Sequence, residues 1–284
     1  MILVDLNQVM ISNMMMQIGN HRNMEVDENM LRHMILNTLR MYRKKFCNDF
    51  GELVICADDR NYWRKEFFPY YKAGRKKNRD RDELDWKSIF TSLNKIRDEL
   101  KEFFPYRVIQ IETAEADDII GTIVHQEGRE LNTSDEQILI LSSDKDYIQL
   151  HKYANVKQYD PTRKRWITHS SPEKYLREHV LKGDTGDGIP NVLSSDNCLV
   201  LGERQRPITK KRLEEWQDIN TMNEDVKRNY MRNKALIDLS EIPDHITKQI
   251  LDAWNSENTK DRSKLLDYFI QNKLKNLLEV ISEF

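Results

Sequence analysis

The chain of 284 residues has few of the residues that disulfide-stabilised or membrane-spanning proteins need. Its three cysteines, Cys47, Cys56 and Cys198, are odd in number and have no metal-ligand spacing. A disulfide framework is therefore not expected, which favours a reducing compartment. No apolar run approaches the length of a membrane span, and the N-terminus carries no secretory signal pattern. We expect a cytoplasmic protein that makes no membrane contact.

The chain also lacks an excess of charge of one sign. Its 45 lysines and arginines are balanced by 47 aspartates and glutamates, and the formal net charge is −2. This balance argues against a uniformly basic nucleic-acid-binding protein. The two signs are nevertheless segregated, because acids gather after apolar runs and bases gather between Arg60 and Arg81. Such segregation suits a metal site beside a phosphate-binding surface.

Over the first 150 residues, strand-like and helix-like apolar patterns alternate. Short apolar runs at 2–6, 53–57, 108–111 and 138–141 predict buried strands. Apolar residues at three- and four-residue spacing predict helices between them, at 27–46, 86–103 and 116–124. This alternation predicts an α/β fold with a mostly parallel central sheet and helices on both faces.

The pattern changes beyond residue 150. Residues 156–159 and 166–168 predict a small hairpin, and Ser171 followed by Pro172 predicts the start of a helix. Most of the remaining chain has the pattern of polar helices. We therefore predict an α/β domain of residues 1–165 and a helical C-terminal region of residues 166–284.

Acidic residues follow each of the four predicted strands. Asp5 ends the first strand, Asp58 follows the second, Asp117 opens the helix after the third, and Asp144 follows the fourth. Because the carboxyl ends of parallel strands meet at one edge of a sheet, these side chains should converge. A single aspartate in such a place is often only a helix N-cap, but four at one edge are harder to explain in that way. Crowded carboxylates repel each other, and all-oxygen ligation favours Mg²⁺ or Mn²⁺ over Zn²⁺.

A glycine-rich turn contains another acidic pair. Asp184 and Asp187 lie three residues apart among Gly183, Gly186 and Gly188. Glycine and aspartate are common in any turn, so the composition alone would also fit a turn without function. Three glycines in six residues, however, allow backbone N–H groups to approach a phosphate, as in turns that grip a DNA backbone between two helices.

A basic and aromatic segment of about residues 60–86 follows Asp58 and should lie over the carboxylates. Its basic residues are Arg60, Arg64, Lys65, Lys72, Arg75, Lys76, Lys77, Arg79 and Arg81. Its aromatic residues are Tyr62, Trp63, Phe67, Phe68, Tyr70 and Tyr71. A solvated loop would explain the charges but not six aromatics within ten residues. Cations for phosphates and rings for bases are typical of an element that binds a single strand.

Several motifs occur together in a specific order. They are Leu3-Val4-Asp5, Cys56-Ala57-Asp58, Tyr62-Trp63-Arg64, Tyr70-Tyr71-Lys72, Glu115-Ala116-Asp117-Asp118, Ser142-Ser143-Asp144-Lys145-Asp146 and Leu181-Lys182-Gly183-Asp184. In this order and spacing they resemble the flap endonuclease and 5′-nuclease superfamily, and within it the RNase H of T-even bacteriophages. The resemblance covers nearly the whole chain. It implies a flexible arch over a two-metal site and a helix-three-turn-helix DNA grip in the C-terminal region.

The resemblance also implies roles for individual residues. The residues that match the first metal group are Asp5, Asp58, Asp117 and Asp144, with Glu115 beside them. Those that match the second group, held largely through water, are Asp146, Asp184 and Asp187. Lys72 and Arg64 match the basic residues that approach the scissile phosphate. The expected nucleic-acid contacts are Lys76, Lys77, Arg79, Gly183, Gly186 and Gly188.

The implied activity is Mg²⁺-dependent 5′→3′ exonuclease and flap cleavage of RNA–DNA hybrids and duplex DNA, with Mn²⁺ as a substitute. The implied phage role is removal of RNA primers from lagging-strand fragments. We expect a monomer that binds duplexes with 5′ ends, flaps or forks, and the C-terminal helices could contact a single-stranded-DNA-binding protein. A sliding-clamp contact has no support, because no extension precedes the first strand. The glycine-rich hairpin that usually follows the family's three-turn element is also missing.

Two other classes of protein would explain part of the pattern. A catalytically inert protein that binds DNA structures should have lost some of the matched acids, and none is missing. A smaller metal-dependent ribonuclease also uses clustered aspartates, but the glycine-rich turn and the long helical extension argue against it.

Overall fold

The computed structural model describes residues 1–20, 27–79, 84–128 and 136–284. Its central sheet has six strands in the order β3-β2-β1-β4-β5-β6. The strands are β1 (Ile2–Asp5), β2 (Leu53–Cys56), β3 (Arg107–Ile109), β4 (Ile138–Leu141), β5 (Val156–Asp160) and β6 (Arg165–Ile167). Every pairing is parallel except that of β5 with β6. The prediction of a mostly parallel α/β sheet is therefore confirmed.

Helices account for most of the remaining described chain. They are α1 (Leu6–Asn20), α2 (Glu28–Phe50), α3 (Trp63–Phe67), α4 (Ala73–Arg79), α5 (Trp86–Phe103), α6 (Ala116–Glu127), α7 (Pro172–Lys182), α8 (Cys198–Leu201), α9 (Lys210–Glu215), α10 (Glu224–Ile237), α11 (Asp244–Asn255), α12 (Leu265–Gln271) and α13 (Lys275–Leu278). Short 3₁₀ helices occur at Asp146–Lys152, Ile219–Thr221 and Ile281–Glu283. None of the helices in the described ranges is long and apolar enough to cross a membrane.

The sheet has a hydrophobic core on each face, because successive strand residues point in opposite directions. In β1, Ile2 and Val4 pack into the core formed with α1, α2 and α5. Leu3 points to the other face, where the core includes residues of α6 and α11. Helices therefore cover both faces, as predicted, and the carboxyl ends of the strands remain at an open edge.

The predicted hairpin forms, but it belongs to the central sheet. Strand β5 pairs antiparallel with β6 on one side and parallel with β4 on the other. The predicted division after residue 165 falls inside β6 and stays a prediction. C-terminal residues also complete both cores: Ile246 and Ile250 pack with α6, whereas Phe269 and Phe284 pack with α5.

The basic and aromatic segment is largely folded where it is described, up to residue 79. Trp63, Phe68 and Tyr71 are buried, and Phe68 and Tyr71 form a small core with residues of α7 and α10. These three rings cannot stack on bases in this arrangement, so that interpretation was wrong for them. They fill a hydrophobic interface that composition alone could not reveal. Phe67 is 53% exposed, whereas Arg81 lies outside the described residues.

Candidate metal and nucleic-acid site

Four carboxylates converge at the open edge of the sheet, each on a different chain segment. Asp5 is the last residue of β1, and the hydroxyl of Ser142, just past β4, donates to its Oδ2 at 3.0 Å. Asp58 follows β2, and its Oδ1 accepts the N–H of Ala116 at the start of α6, at 2.7 Å. The strand ends and the first turn of α6 thus fix these groups in position.

Asp117 and Asp144 complete this first group. The hydroxyl of Tyr147 donates to Asp117 Oδ1 at 2.6 Å and lies 3.4 Å from Asp5 Oδ2, so one buried phenol links two of the carboxylates. Asp144, three residues past β4, accepts the N–H of Asp146 at 3.0 Å. The structure therefore brings together the four aspartates that the strand pattern predicted.

The electrostatics of this group fit a divalent cation. Burial, followed by repulsion from Asp58 and Asp144, raises the pKa of Asp5 to about 7. Burial and the neighbouring Asp146 raise the pKa of Asp144 to about 6. Burial and the nearby acids also raise the pKa of Asp117 well above its usual value. Crowded, buried oxygen donors of this kind are relieved by a bound cation such as Mg²⁺ or Mn²⁺.

A second group lies beside the first and includes a histidine. One ligand atom each from Asp146, His179 and Asp184 lies within 4.8 Å of the other two. His179 Nε2 is 3.2 Å from Asp146 Oδ1 and 3.6 Å from Asp184 Oδ2. Burial alone would lower the pKa of His179, but these two carboxylates raise it to about 10.

The sequence interpretation did not single out His179, and it grouped Asp187 with Asp146 and Asp184. The only local signal was its position in the last turn of α7, four residues before Gly183. The carboxylate of Asp187 instead contacts cations, with Lys72 Nζ at 3.4 Å and an ion pair to Arg75. The hydroxyl of Tyr71 also donates to Asp187 Oδ2, at 3.1 Å.

Lys72 stands between the glycine-rich turn and the carboxylates. Its Nζ contacts Glu115 Oε1 at 2.5 Å, and its side chain is 10% exposed. Burial alone would lower the pKa of Lys72, but Tyr71 and Glu115 raise it well above its usual value. Lys72 therefore stays protonated and places a fixed positive charge at the edge of the site.

Arg64 lies deeper than a residue that contacts a phosphate. Its guanidinium pairs with Glu115 at 3.0 Å and with Asp118 at 2.8 Å, and it donates to the carbonyl of Leu236 in α10 at 2.9 Å. The side chain is 3% exposed. Burial would raise the pKa of Glu115, but Lys72 and Arg64 hold it below its usual value. In this structure Arg64 holds Glu115 in position through an ion pair, and its contacts connect α3 with α6 and α10.

The backbone N–H groups of the three glycines in the turn form hydrogen bonds within the turn and to the end of α7. The N–H of Gly183 donates to the carbonyl of His179, that of Gly186 to Asp184 Oδ1, and that of Gly188 to the carbonyl of Thr185. All three N–H groups already have partners within the chain. Phosphate contacts from them stay a prediction.

The basic residues predicted to contact nucleic acid lie in α4. The Arg79 guanidinium sits 5.0 Å from the centre of the Phe90 ring. The side chains of Lys76 and Lys77 lie outside the described part of the structure.

A parallel sheet whose carboxyl edge gathers carboxylates beside a fixed cation is an arrangement suited to metal-dependent phosphodiester hydrolysis. Comparison with known proteins agrees. Residues 1–181 match a family described as 5′-3′ exonuclease, N-terminal resolvase-like domain, and residues 170–284 match T4 RNase H, C terminal. The chain belongs to the 5′-3′ exonuclease family and is a nuclease, as its motifs predicted.

Curated relatives include nucleases of a phage and of bacteria. The chain is 35% identical to Ribonuclease H of Enterobacteria phage T4, over 99% of this chain and 95% of the relative. It is 31% identical to the flap endonuclease Xni of Shewanella pealeana, over 49% of this chain and 52% of that protein. The second match therefore concerns about half of each protein.

Solved structures with the same fold come from bacteriophage T5. One is a flap endonuclease variant in a pseudo-enzyme–product complex with DNA and metal ions, with a TM-score of 0.61 and 17% identity over 90% of this chain and 99% of the other. Another is the T5 5′-exonuclease with divalent zinc, with a TM-score of 0.60 and 17% identity over 89% of this chain and 98% of the other. At this level of identity the likeness concerns the fold.

Proposed function

We propose that this nuclease is a Mg²⁺-dependent 5′→3′ exonuclease and flap endonuclease that degrades RNA–DNA hybrids and duplex DNA from 5′ ends. Its phage role would be removal of the RNA primers of lagging-strand fragments. The observation that carries the proposal is the group of four aspartates from the ends of β1, β2 and β4 and the start of α6, with raised pKa values, beside the permanently charged Lys72. The phage and bacterial relatives named ribonuclease H and flap endonuclease support the substrate class.

The residues suit two divalent cations, Mg²⁺ or in its place Mn²⁺. Asp5, Asp58, Asp117 and Asp144 would hold one. Asp146 and Asp184 would hold the other, with Asp187 alongside. When bound, such ions lower the pKa of a water molecule and stabilise the charge on a leaving oxygen.

The chain's own side chains have supporting roles. The Tyr147 hydroxyl orients Asp117 and limits its rotation. Lys72 would offer its charge to the phosphate, which becomes more anionic as the reaction proceeds. Arg64 would act as a positioning residue, because its buried guanidinium holds Glu115 and so fixes the partner of Lys72.

The expected partners are duplexes with 5′ ends, flaps or forks. We propose that the protein acts on them as a monomer, and that a single-stranded-DNA-binding protein is its protein partner through the C-terminal helices.

Cleavage of three labelled substrates tests the proposal. A 5′-flap, a nicked duplex and an RNA–DNA hybrid are each incubated with Mg²⁺ and with excess chelator. We expect cleavage from the 5′ side that requires the metal, and robust cleavage in excess chelator would contradict it. Asp144→Asn should abolish turnover with DNA binding near normal, whereas Asp252→Asn, on the exposed surface of α11, should behave as wild type. Tight binding of these substrates without cleavage would favour a catalytically inert protein that binds DNA structures. Cleavage of the RNA–DNA hybrid alone would favour a smaller metal-dependent ribonuclease.

A further inference from the structure

The second acidic group contains a nitrogen donor that the all-oxygen prediction did not include. His179 Nε2 faces Asp146 and Asp184 at 3.2 and 3.6 Å. Two ligands about 2.1 Å from one ion lie roughly 3.0 to 3.4 Å apart in octahedral or tetrahedral geometry. The observed separations are close to that range. His179 Nε2 therefore lies from each carboxylate at almost the separation of two ligands of one ion, and the two carboxylate oxygens lie within 4.8 Å of each other.

We propose that His179 Nε2 is a direct ligand of the second divalent cation, together with Asp146 and Asp184. This inference rests on the proposed function and specifies its second site. It replaces an expected set of three carboxylates with a mixed set of one imidazole nitrogen and two carboxylates.

The orientation of the imidazole supports this assignment. Nε2 is buried and faces both carboxylates, 3.2 Å from Asp146 Oδ1 and 3.6 Å from Asp184 Oδ2. The ring stacks on Tyr175, with centroids 5.8 Å apart and planes inclined by 9°. Tyr175 is itself packed against the ring of His169. Stacking thus fixes the ring so that Nε2 points between the two carboxylates.

The surroundings leave room for an ion and its waters. An open cavity of about 390 Å³ is lined by the three proposed ligands together with Gln8, Ser143, Asp144, Lys145 and Tyr175. An ion at this place would take the position of the proton on Nε2, because a nitrogen ligates through the same lone pair.

Asp187 is poorly placed to be the third ligand. Its carboxylate already pairs with Lys72 and Arg75 and accepts the hydroxyl of Tyr71. Two cations neutralise its charge, so moving it to the metal would break an existing network. His179 is the donor that faces the site.

A nitrogen ligand changes the expected metal preference. Imidazole suits Zn²⁺ and other later transition metals, whereas carboxylate and water suit Mg²⁺ and Mn²⁺. We therefore expect the second site to bind Zn²⁺ more tightly than Mg²⁺. Glutamine keeps a polar side chain but removes the imidazole. His179→Gln should therefore reduce the difference in affinity between Zn²⁺ and Mg²⁺ at the second site.

Pulsed electron paramagnetic resonance with Mn²⁺ tests the assignment independently of activity. The full-length protein, with Mn²⁺ alone and no DNA, should show electron spin-echo modulation from a directly bound ¹⁴N. In protein whose histidines carry ¹⁵N, this modulation should change to the ¹⁵N pattern. This measurement needs no substitution, so a folding defect cannot obscure it.

Two variants then locate the nitrogen. His179→Gln should lose the modulation and bind Mn²⁺ at the second site at least about 10-fold more weakly, since even the loss of an outer partner costs that much. His245→Gln, on the exposed side of α11, should retain both the nitrogen modulation and the wild-type affinity for Mn²⁺. Bound Mn²⁺ without nitrogen modulation, or modulation that survives His179→Gln, would overturn the assignment. If that occurs while Mg²⁺-dependent flap cleavage is intact, the proposed function stands and only the ligand assignment falls.

Discussion

Lys72 combines an unfavourable backbone conformation with a largely buried, charged side chain. Its φ of 55° lies in the left-handed region, which costs a residue with a side chain about 1–2 kcal/mol. The conformation is held by the N–H of Lys72, which donates to the carbonyl of Asp187 at 2.7 Å, and by the contact of Nζ with Glu115. These interactions keep one cation at the edge of the carboxylate group, where a charge aimed at the phosphate is useful.

We expect Lys72→Ala to slow the chemical step and leave DNA affinity within about twofold of wild type. A group that acts mainly in the transition state lowers the rate more than the affinity. Single-turnover cleavage should fall by ~100-fold, the scale for removal of one electrostatic stabiliser. Rapid-quench kinetics and equilibrium binding measure the two quantities. Lys248→Ala, on the exposed surface of α11, is the control, and an equal loss in rate and affinity for Lys72→Ala would contradict this role.

For Arg64, burial predicts mainly a loss of stability. Arg64→Ala would leave Glu115 and Asp118 buried with less compensation, and breaking such a pair costs about 3–5 kcal/mol. Urea denaturation should therefore show a clearly lower free energy of unfolding, with Lys65→Ala within about 0.5 kcal/mol of wild type. A variant as stable as wild type that no longer cleaves would instead favour direct contact with the phosphate.

At the scale of elements, local patterns predicted the strands and the longer helices but not their assembly. Strand β5 was expected in a separate hairpin, because its pairing with β6 is local in sequence. Its parallel pairing with β4 depends on the crossover through the 3₁₀ helix Asp146–Lys152, which no short pattern reveals. The same limit applies to the site. The four aspartates at strand ends were predictable from topology, whereas His179 meets Asp146 only through the packing of α7.

Gly188 of the glycine-rich turn and Gly202, which follows α8, form a matched pair for substitution. Gly188 and Gly202 both have left-handed φ values, of 75° and 73°. A Cβ on Gly188 would lie 2.7 Å from the carbonyl oxygen of Tyr70, whereas one on Gly202 would meet nothing within 4 Å. The turn therefore needs glycine at 188 because it packs directly against the segment that carries Lys72.

Gly202→Ala should cost about 1–2 kcal/mol of stability, from the backbone conformation alone, with cleavage unchanged. Gly188→Ala should cost more and also reduce the cleavage rate, because the clash displaces the chain around Lys72. Thermal or urea unfolding and single-turnover cleavage measure both effects. Equal behaviour of the two variants would mean that the close approach to Tyr70 does not position Lys72.

At the scale of the whole molecule, a net charge of only −2 conceals a local grouping of acidic and basic residues around the site. Acids from β1, β2, α6 and the region after β4 meet at one edge, and the basic segment that begins at Arg60 folds beside them through Arg64 and Lys72. The C-terminal chain supports this arrangement from two sides. Helices α7 and α10 pack beneath the basic segment, and α11 to α13 return to complete the two cores of the sheet. Lys72 thus lies where the basic segment meets the carboxylates.

The outer part of the basic segment should contribute to affinity and not to chemistry. We expect the double substitution Lys76→Ala and Lys77→Ala to weaken DNA binding. The dependence of binding on salt should also flatten, by about one unit of slope for each phosphate that a lysine no longer neutralises. The cleavage rate at saturating DNA should stay at the wild-type value, which separates these lysines from Lys72. Binding isotherms at several salt concentrations, with single-turnover rates at saturation, measure both. The matched control is Lys248→Ala with Lys275→Ala, on α11 and α13. If the α4 variant kept the wild-type salt slope, α4 would not lie along the path of the nucleic acid.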